Sequence, residues 1–111
     1  MDVQERIKNL VNEHAVLLFM KGSPEFPQCG FSMTASRIVQ ALNVPFMTVD
    51  VLADPEIRQG IKEFSNWPTI PQLYIDQQFV GGSDICMELW QNGELQSMVS
   101  AHPANSDSAG E

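Results

Sequence analysis

Cysteine is scarce. The 111 residues hold only Cys29 and Cys86, so a disulfide scaffold is not expected and a reducing compartment, the cytoplasm, is. Positive charge is scarce too: 6 Lys and Arg stand against 14 Asp and Glu, for a net charge of −8. That balance argues against a nucleic-acid phosphate backbone as the partner. No apolar run approaches the ~20 residues that span a bilayer, so no membrane role is expected. The start, Met1-Asp-Val-Gln-Glu-Arg6, lacks a basic segment followed by an apolar one, so no secretory signal is expected, and its early acidic residues argue against a transit peptide still attached, which leaves a cleaved one open. There is no internal repeat and no sign of a second domain. With 43% hydrophobic residues, one domain with one core is expected over residues 1–100. Residues 101–111, rich in Ala, Ser, Asn and Gly, read as a disordered tail.

What is present centres on Lys21-Gly-Ser-Pro-Glu-Phe-Pro-Gln-Cys-Gly-Phe-Ser32. Before it, Ala15-Val-Leu-Leu-Phe-Met20 has the length and composition of a buried strand. After it, Phe31, Ala35, Ile38, Val39 and Leu42 share one face of a helix over about 30–42. The order is strand, Pro/Gly-rich loop, cysteine, helix. A cysteine at a helix start lies near unpaired N–H groups and the positive end of the dipole, which favour thiolate. Lys21 adds positive charge. Such a cysteine is reactive, or holds a soft metal. The competing reading is a buried cysteine acting as a small hydrophobe; Pro27, Gln28 and Gly30 suit an exposed loop better.

The remaining elements follow from periodicity and punctuation. Val3, Ile7, Leu10 and Val11 mark an amphipathic helix over 2–13. Pro45 ends the helix at 30–42, and Phe46-Met-Thr-Val-Asp50 reads as a strand parallel to the first, in a βαβ unit. Asp54 and Pro55 stand at the N-cap and N1 of a helix whose buried stripe is Ile57, Ile61 and Phe64. Gln72–Ile75 and Gln78–Val80 form a hairpin. Ser83 caps a helix to about Gln91, with Ile85 and Leu89 facing inward, and Glu94 to Val99 adds a last turn or two. Arg58 and Lys62 share a helix face; as a small-anion site or as a merely solvated face, the two readings stand level. A βαβ unit followed by a ββα unit on one four-stranded mixed sheet, flanked by about five helices, is the thioredoxin-like α/β fold. Cys29 then lies at the carboxyl end of the first strand, where ligands bind in such sheets.

These residues carry a resemblance. Cys29-Gly-Phe-Ser32 is the CGFS motif, and the chain resembles a monothiol glutaredoxin. Lys21-Gly-Ser-Pro24, Pro27-Gln-Cys-Gly-Phe-Ser32, Trp67-Pro-Thr-Ile-Pro-Gln72 and Gly81-Gly-Ser-Asp84 all stand in family order, over roughly residues 3 to 99. The resemblance implies that Cys29 is the active thiolate and an iron ligand. It implies that Lys21 and Arg58 bind the glycyl carboxylate of glutathione, and that the backbone of Ile70, before a cis-proline at Pro71, pairs with its cysteinyl part. Ser83 and Asp84 would hold the γ-glutamyl end. Each has a plainer reading: Ser83 as an ordinary N-cap, Asp84 as a complement to the helix dipole. Phe31 and Trp67 are read as core or lip packing. Some relatives carry cysteine where Ser83 stands; Cys86, three residues on, reads as a packed and inert thiol. His14 and His102 lack ligand spacing.

Two functions compete. A [2Fe–2S] cluster takes four ligands, typically thiolates. One thiolate from each of two chains and two glutathione thiols complete that set in a cluster-bridged homodimer. The resemblance implies such a carrier, delivering clusters to recipient apoproteins with a BolA-type partner. The alternative is a glutathione-dependent monothiol oxidoreductase, in which Cys29 attacks a glutathionylated protein and is released by a second glutathione; the resemblance implies that this activity is weak. An adaptor without chemistry is a third reading, which Cys29→Ser would leave intact.

Overall fold

The computed structural model describes residues 2–100; the tail at 101–111, and His102 within it, lie outside them. The sheet is built around β1 (Val16–Met20), all five residues of which are buried. A strand covered on both faces needs no polar alternation, which is why it reads as one apolar run. The strand order is β2-β1-β3-β4. β2 (Met47–Asp50) lies parallel to β1, with Leu17 opposite Met47 and Met20 opposite Asp50. β3 (Gln72–Ile75) is antiparallel to β1, and β4 (Gln78–Gly81) is antiparallel to β3. Asp76 and Gln77, at φ 52° and 71°, make the two-residue turn between them without glycine; Asn and Asp, and here Gln, adopt this region at modest cost.

Among the described residues, five helices cover the sheet. α1 (Val3–Glu13) is capped by the Asp2 carboxylate, which accepts from the Glu5 N–H at 2.9 Å. α3 (Pro55–Ser65) starts as its sequence requires, with Asp54 accepting from the Ile57 N–H at 3.2 Å and Pro55 at N1. It stops at Asn66, which is left-handed at φ 54°. α2 (Gly30–Ala41), α4 (Ser83–Gln91) and α5 (Glu94–Ser100) cover the other face. β1 feeds both layers by alternation. Val16, Leu18 and Met20 pack with Ala35, Val39, Cys86 and Leu95. Leu17 and Phe19 pack with Ile7, Val11, Ile57, Ile61 and Tyr74. This is the thioredoxin-like arrangement expected.

Four expectations change. Phe31 does not share the buried stripe of α2; it is 65% exposed, and the stripe is Ser32, Ala35, Ser36 and Val39 together with Ile38. Small residues at i, i+3 and i+4 let the first turns of α2 lie close on the sheet, where a phenyl ring would not fit. On α4 the inward residues are Cys86, fully buried, with Leu89 and Trp90 packed against the same core, while Ile85 is 38% exposed. Ser83 is the first helical residue, not the cap; Gly82 is the N-cap and no side chain caps α4. Phe64 is exposed at the end of its stripe, its ring 6.0 Å from that of Tyr74.

Candidate functional site

β1 delivers its last residues into a closed loop. The Lys21 carbonyl accepts from the Gln28 N–H at 2.9 Å, Ser23 and Phe26 exchange backbone bonds, and Gly22 bridges Pro27. Gly22 is required here: its φ is +88°, and a Cβ would lie 2.4 Å from the Phe26 carbonyl oxygen. The Asp50 carboxylate, from the end of β2, ties down the loop by accepting from the N–H groups of Gly22 and Leu52, both at 2.9 Å. The loop returns the chain to Cys29, which is the N-cap of α2.

As N-cap, Cys29 does with sulfur what serine does with oxygen. Its Sγ accepts from the Ser32 N–H at 3.4 Å, and the Ser32 Oγ stands 3.7 Å away. Burial opposes ionisation of the thiol. It is outweighed by hydrogen bonds from the Ser32 N–H and hydroxyl, then by the Phe31 N–H and the positive charge of Lys21, so the thiol is held below its ordinary value. The sulfur remains partly exposed. Cys86 has the opposite setting: it is fully buried, and burial pushes its thiol up to about 12. The two settings are opposed: one favours the thiolate and the other the thiol.

Beside the α2 N-terminus lies a groove of about 200 Å³. Thr69, Ile70 and Pro71 form one wall, Gly82, Ser83, Asp84 and Ile85 the other, and Phe31 and Trp67 the lips. The Ile70–Pro71 bond is cis. Gly81 brings the second wall in: at φ +153° it passes so close to α4 that a Cβ would lie 2.6 Å from the Ile85 Cβ. Of the residues named from sequence, Ile70, Ser83 and Asp84 therefore share one groove, and Lys21 and Cys29 share the adjoining loop–helix junction. Arg58 is not among the lining residues; it stands exposed on α3. Phe31, 65% exposed, and Trp67, 42% exposed, are lips of the groove rather than core. Their exposure was the part that an apolar periodicity cannot show, since periodicity reports a face and not what covers it. Among the described residues no group of three or more His, Cys, Asp and Glu is placed to hold a metal ion, and no helix is long and apolar enough to cross a membrane.

The glutaredoxin family model matches residues 16–80. A monothiol glutaredoxin of Synechocystis, itself uncharacterized, is 59% identical over 98 residues, covering 88% of this chain and 92% of its own length. Glutaredoxin 4 of Haemophilus ducreyi is 46% identical, covering 89% of this chain and 92% of its own. A chloroplastic monothiol glutaredoxin of Oryza sativa is 53% identical over 88% of this chain, which spans 58% of that longer protein. Among solved structures, reduced poplar apo GrxS14 superposes with a TM-score of 0.77 at 50% identity, over 88% of this chain and 90% of that one. The buckwheat glutaredoxin–glutathione complex superposes with a TM-score of 0.80 over 92% and 91% of the two chains, but at 21% identity the likeness is one of fold. A thiolate-favouring Cys29 at the helix start, Ser32 where a second active cysteine would stand, and relatives of this identity over nearly the whole described chain place this protein in the glutaredoxin family, among its monothiol members.

Proposed function

We propose that this protein is a glutathione-binding carrier of a labile [2Fe–2S] cluster, bridged between two copies of the chain. The observation that carries the reading is the contrast between the cysteines. Cys29 is partly exposed and favours thiolate, whereas Cys86 is buried and held protonated. A chain with one usable thiolate, and no cluster of three donors among its described residues, fills one of the four ligand places of the cluster. Cys29 of a second copy fills another, and the thiols of two glutathione molecules fill the rest.

The groove suits a γ-glutamyl tripeptide. Ser83 and the first N–H groups of α4 offer a carboxylate site, and Asp84 suits the adjacent amino group. The Ile70 backbone would pair with the cysteinyl residue. Lys21, with Arg58 from α3, would take the glycyl carboxylate. When bound, the cluster is cargo for recipient apoproteins, handed on in a reducing compartment such as the cytoplasm with a BolA-type partner. A site shared between subunits suits release better than storage.

A second reading rests on the same thiolate. Cys29 attacks the mixed disulfide of a glutathionylated protein, the protein thiolate leaves, and a second glutathione displaces glutathione disulfide from Cys29. Ser32 denies the site a resolving thiol, so this route runs through one cysteine only.

The test is anaerobic reconstitution with iron, sulfide and a cysteine desulfurase, with and without glutathione, read by visible absorption and size-exclusion. A coloured dimer with two irons that forms only with glutathione is expected, with Cys86→Ser forming it as well as wild type and Cys29→Ser not at all. A colourless monomer under both conditions would leave the oxidoreductase reading.

A further inference from the structure

We infer that Gln72 is a positioning residue of the groove: its buried amide fixes the orientation of the Thr69–Ile70 peptide, so that the Ile70 N–H faces the ligand. The inference rests on the glutathione reading of the groove.

Gln72 opens β3 in the middle of the sheet, opposite Phe19, and is fully buried. A side-chain amide there is costly unless its groups are paired, and a β-branched hydrocarbon would suit the strand better. The pairing is thorough, and none of it serves the sheet. Gln72 Nε2 donates to the Trp67 carbonyl at 3.2 Å and to the Thr69 carbonyl at 3.1 Å. Its Oε1 accepts from the Tyr74 hydroxyl at 3.1 Å. Both donors face carbonyl oxygens, so the amide has one workable orientation. The ring that anchors it is itself fixed, since Tyr74 is 2% exposed and packs against Phe19 and Phe79 at 5.7 and 5.5 Å.

The consequence for the groove follows from peptide geometry. In a planar trans peptide the carbonyl and the N–H point in opposite directions. The Thr69 carbonyl is drawn inward to Gln72, so the N–H of Ile70 is turned outward, to the wall that Thr69 and Ile70 give the groove. Among the described residues no backbone or side-chain group pairs with the Ile70 N–H or carbonyl. These groups are left for an extended ligand, which would pair with them as a short strand does. The other loop residues do not supply this control: Ser65 Oγ holds the Trp67 N–H at 3.1 Å, which fixes the start of the loop but not the 69–70 peptide. Without the Gln72 donors that peptide is free to rotate, and the ligand must order it on binding.

The test uses the full chain, reduced, with Gln72→Met, which keeps the volume and removes both donors. Binding of reduced glutathione is followed by amide NMR alongside the thiolate absorbance of Cys29. The folded variant is expected to bind about tenfold more weakly, the loss of one to two hydrogen bonds' worth of ordering, with the Ile70 amide resonance moved and the Cys29 titration unchanged. Wild-type affinity with an unmoved Ile70 resonance would overturn the inference. If Gln72→Met fails to fold, Tyr74→Phe loosens the same amide without removing it. It is expected to shift the Ile70 resonance and weaken binding by about two- to threefold, and an unmoved resonance there overturns the inference equally. Should wild type itself not bind glutathione, the reading of the groove fails, and the Ile70 resonance in the variants still decides whether Gln72 orients the peptide.

Discussion

Ser32 is fully buried at the point where β1 meets α2, and its hydroxyl has two tasks. The oxygen accepts from the Lys21 N–H at 3.0 Å, which leaves the hydroxyl proton free to point at Cys29 Sγ. A serine in this place therefore ties the end of the strand to the sulfur and stabilises its negative form. Ser32→Ala keeps the helix and deletes both bonds. The Cys29 thiol is expected to move up toward its ordinary value of 9.0, read from the pH dependence of thiolate absorbance. Stability is expected to fall by about 1–3 kcal/mol, because the Lys21 N–H is left without its partner. An unmoved titration with a lowered Tm would assign Ser32 to packing alone. The sequence places Ser32 only as the residue that is not a second cysteine. Its bond to Lys21 joins positions eleven apart and exists only once β1 and α2 are docked, so no local pattern announces it.

At the scale of elements, local chemistry and topology agree closely. Asp2, Asp54 and Pro55 open helices and Asn66 closes one, each by bonds or dihedrals within a few residues, so these boundaries are legible from the chain. β1 is legible because both its faces are covered. What is not legible is which of two adjacent apolar residues on α4 meets the sheet. Ile85 and Cys86 are both apolar; Cys86 enters the core between α4 and the sheet, while Ile85 lies over Gly81 at the groove wall. The loop Lys21–Gln28 is organised by one residue. Gly22→Ala places a methyl group 2.4 Å from the Phe26 carbonyl at a φ of +88°; the left-handed conformation alone costs about 1–2 kcal/mol, and the loop must also open. Both a lowered Tm and a raised Cys29 thiol are expected, the second because Lys21 is no longer held beside the sulfur. A lowered Tm with the thiol titration unmoved would mean that the Lys21 position does not depend on the closure of this loop.

For the whole molecule the governing quantity is charge. Each copy carries −8, and the proposed shared site brings two copies together. Two like-charged bodies repel over a Debye length, about 10 Å at 0.1 M salt and about 3 Å at 1 M. The local charges at the site are mixed: Lys21 beside the sulfur, Asp84 on the groove wall, Glu25 in the loop. If repulsion between the bodies prevails, salt favours association; if attraction between local pairs prevails, salt opposes it. Of these three charges Glu25 and Asp84 are exposed and Lys21 is half-buried, and pairs made by such groups are each worth little, against a net charge of −8 on each copy. Repulsion is therefore expected to win. At saturating glutathione, so that weaker retention of its carboxylates by Lys21 and Arg58 does not intrude, the cluster-bound dimer fraction at fixed protein concentration should rise from about 0.02 M to about 0.5 M NaCl. Analytical ultracentrifugation at the cluster's absorbance wavelengths measures it directly. A dimer fraction that falls with salt would locate the association energy in specific charge pairs across the interface. Charge reversal at Lys21 and Asp84 in turn would then identify them.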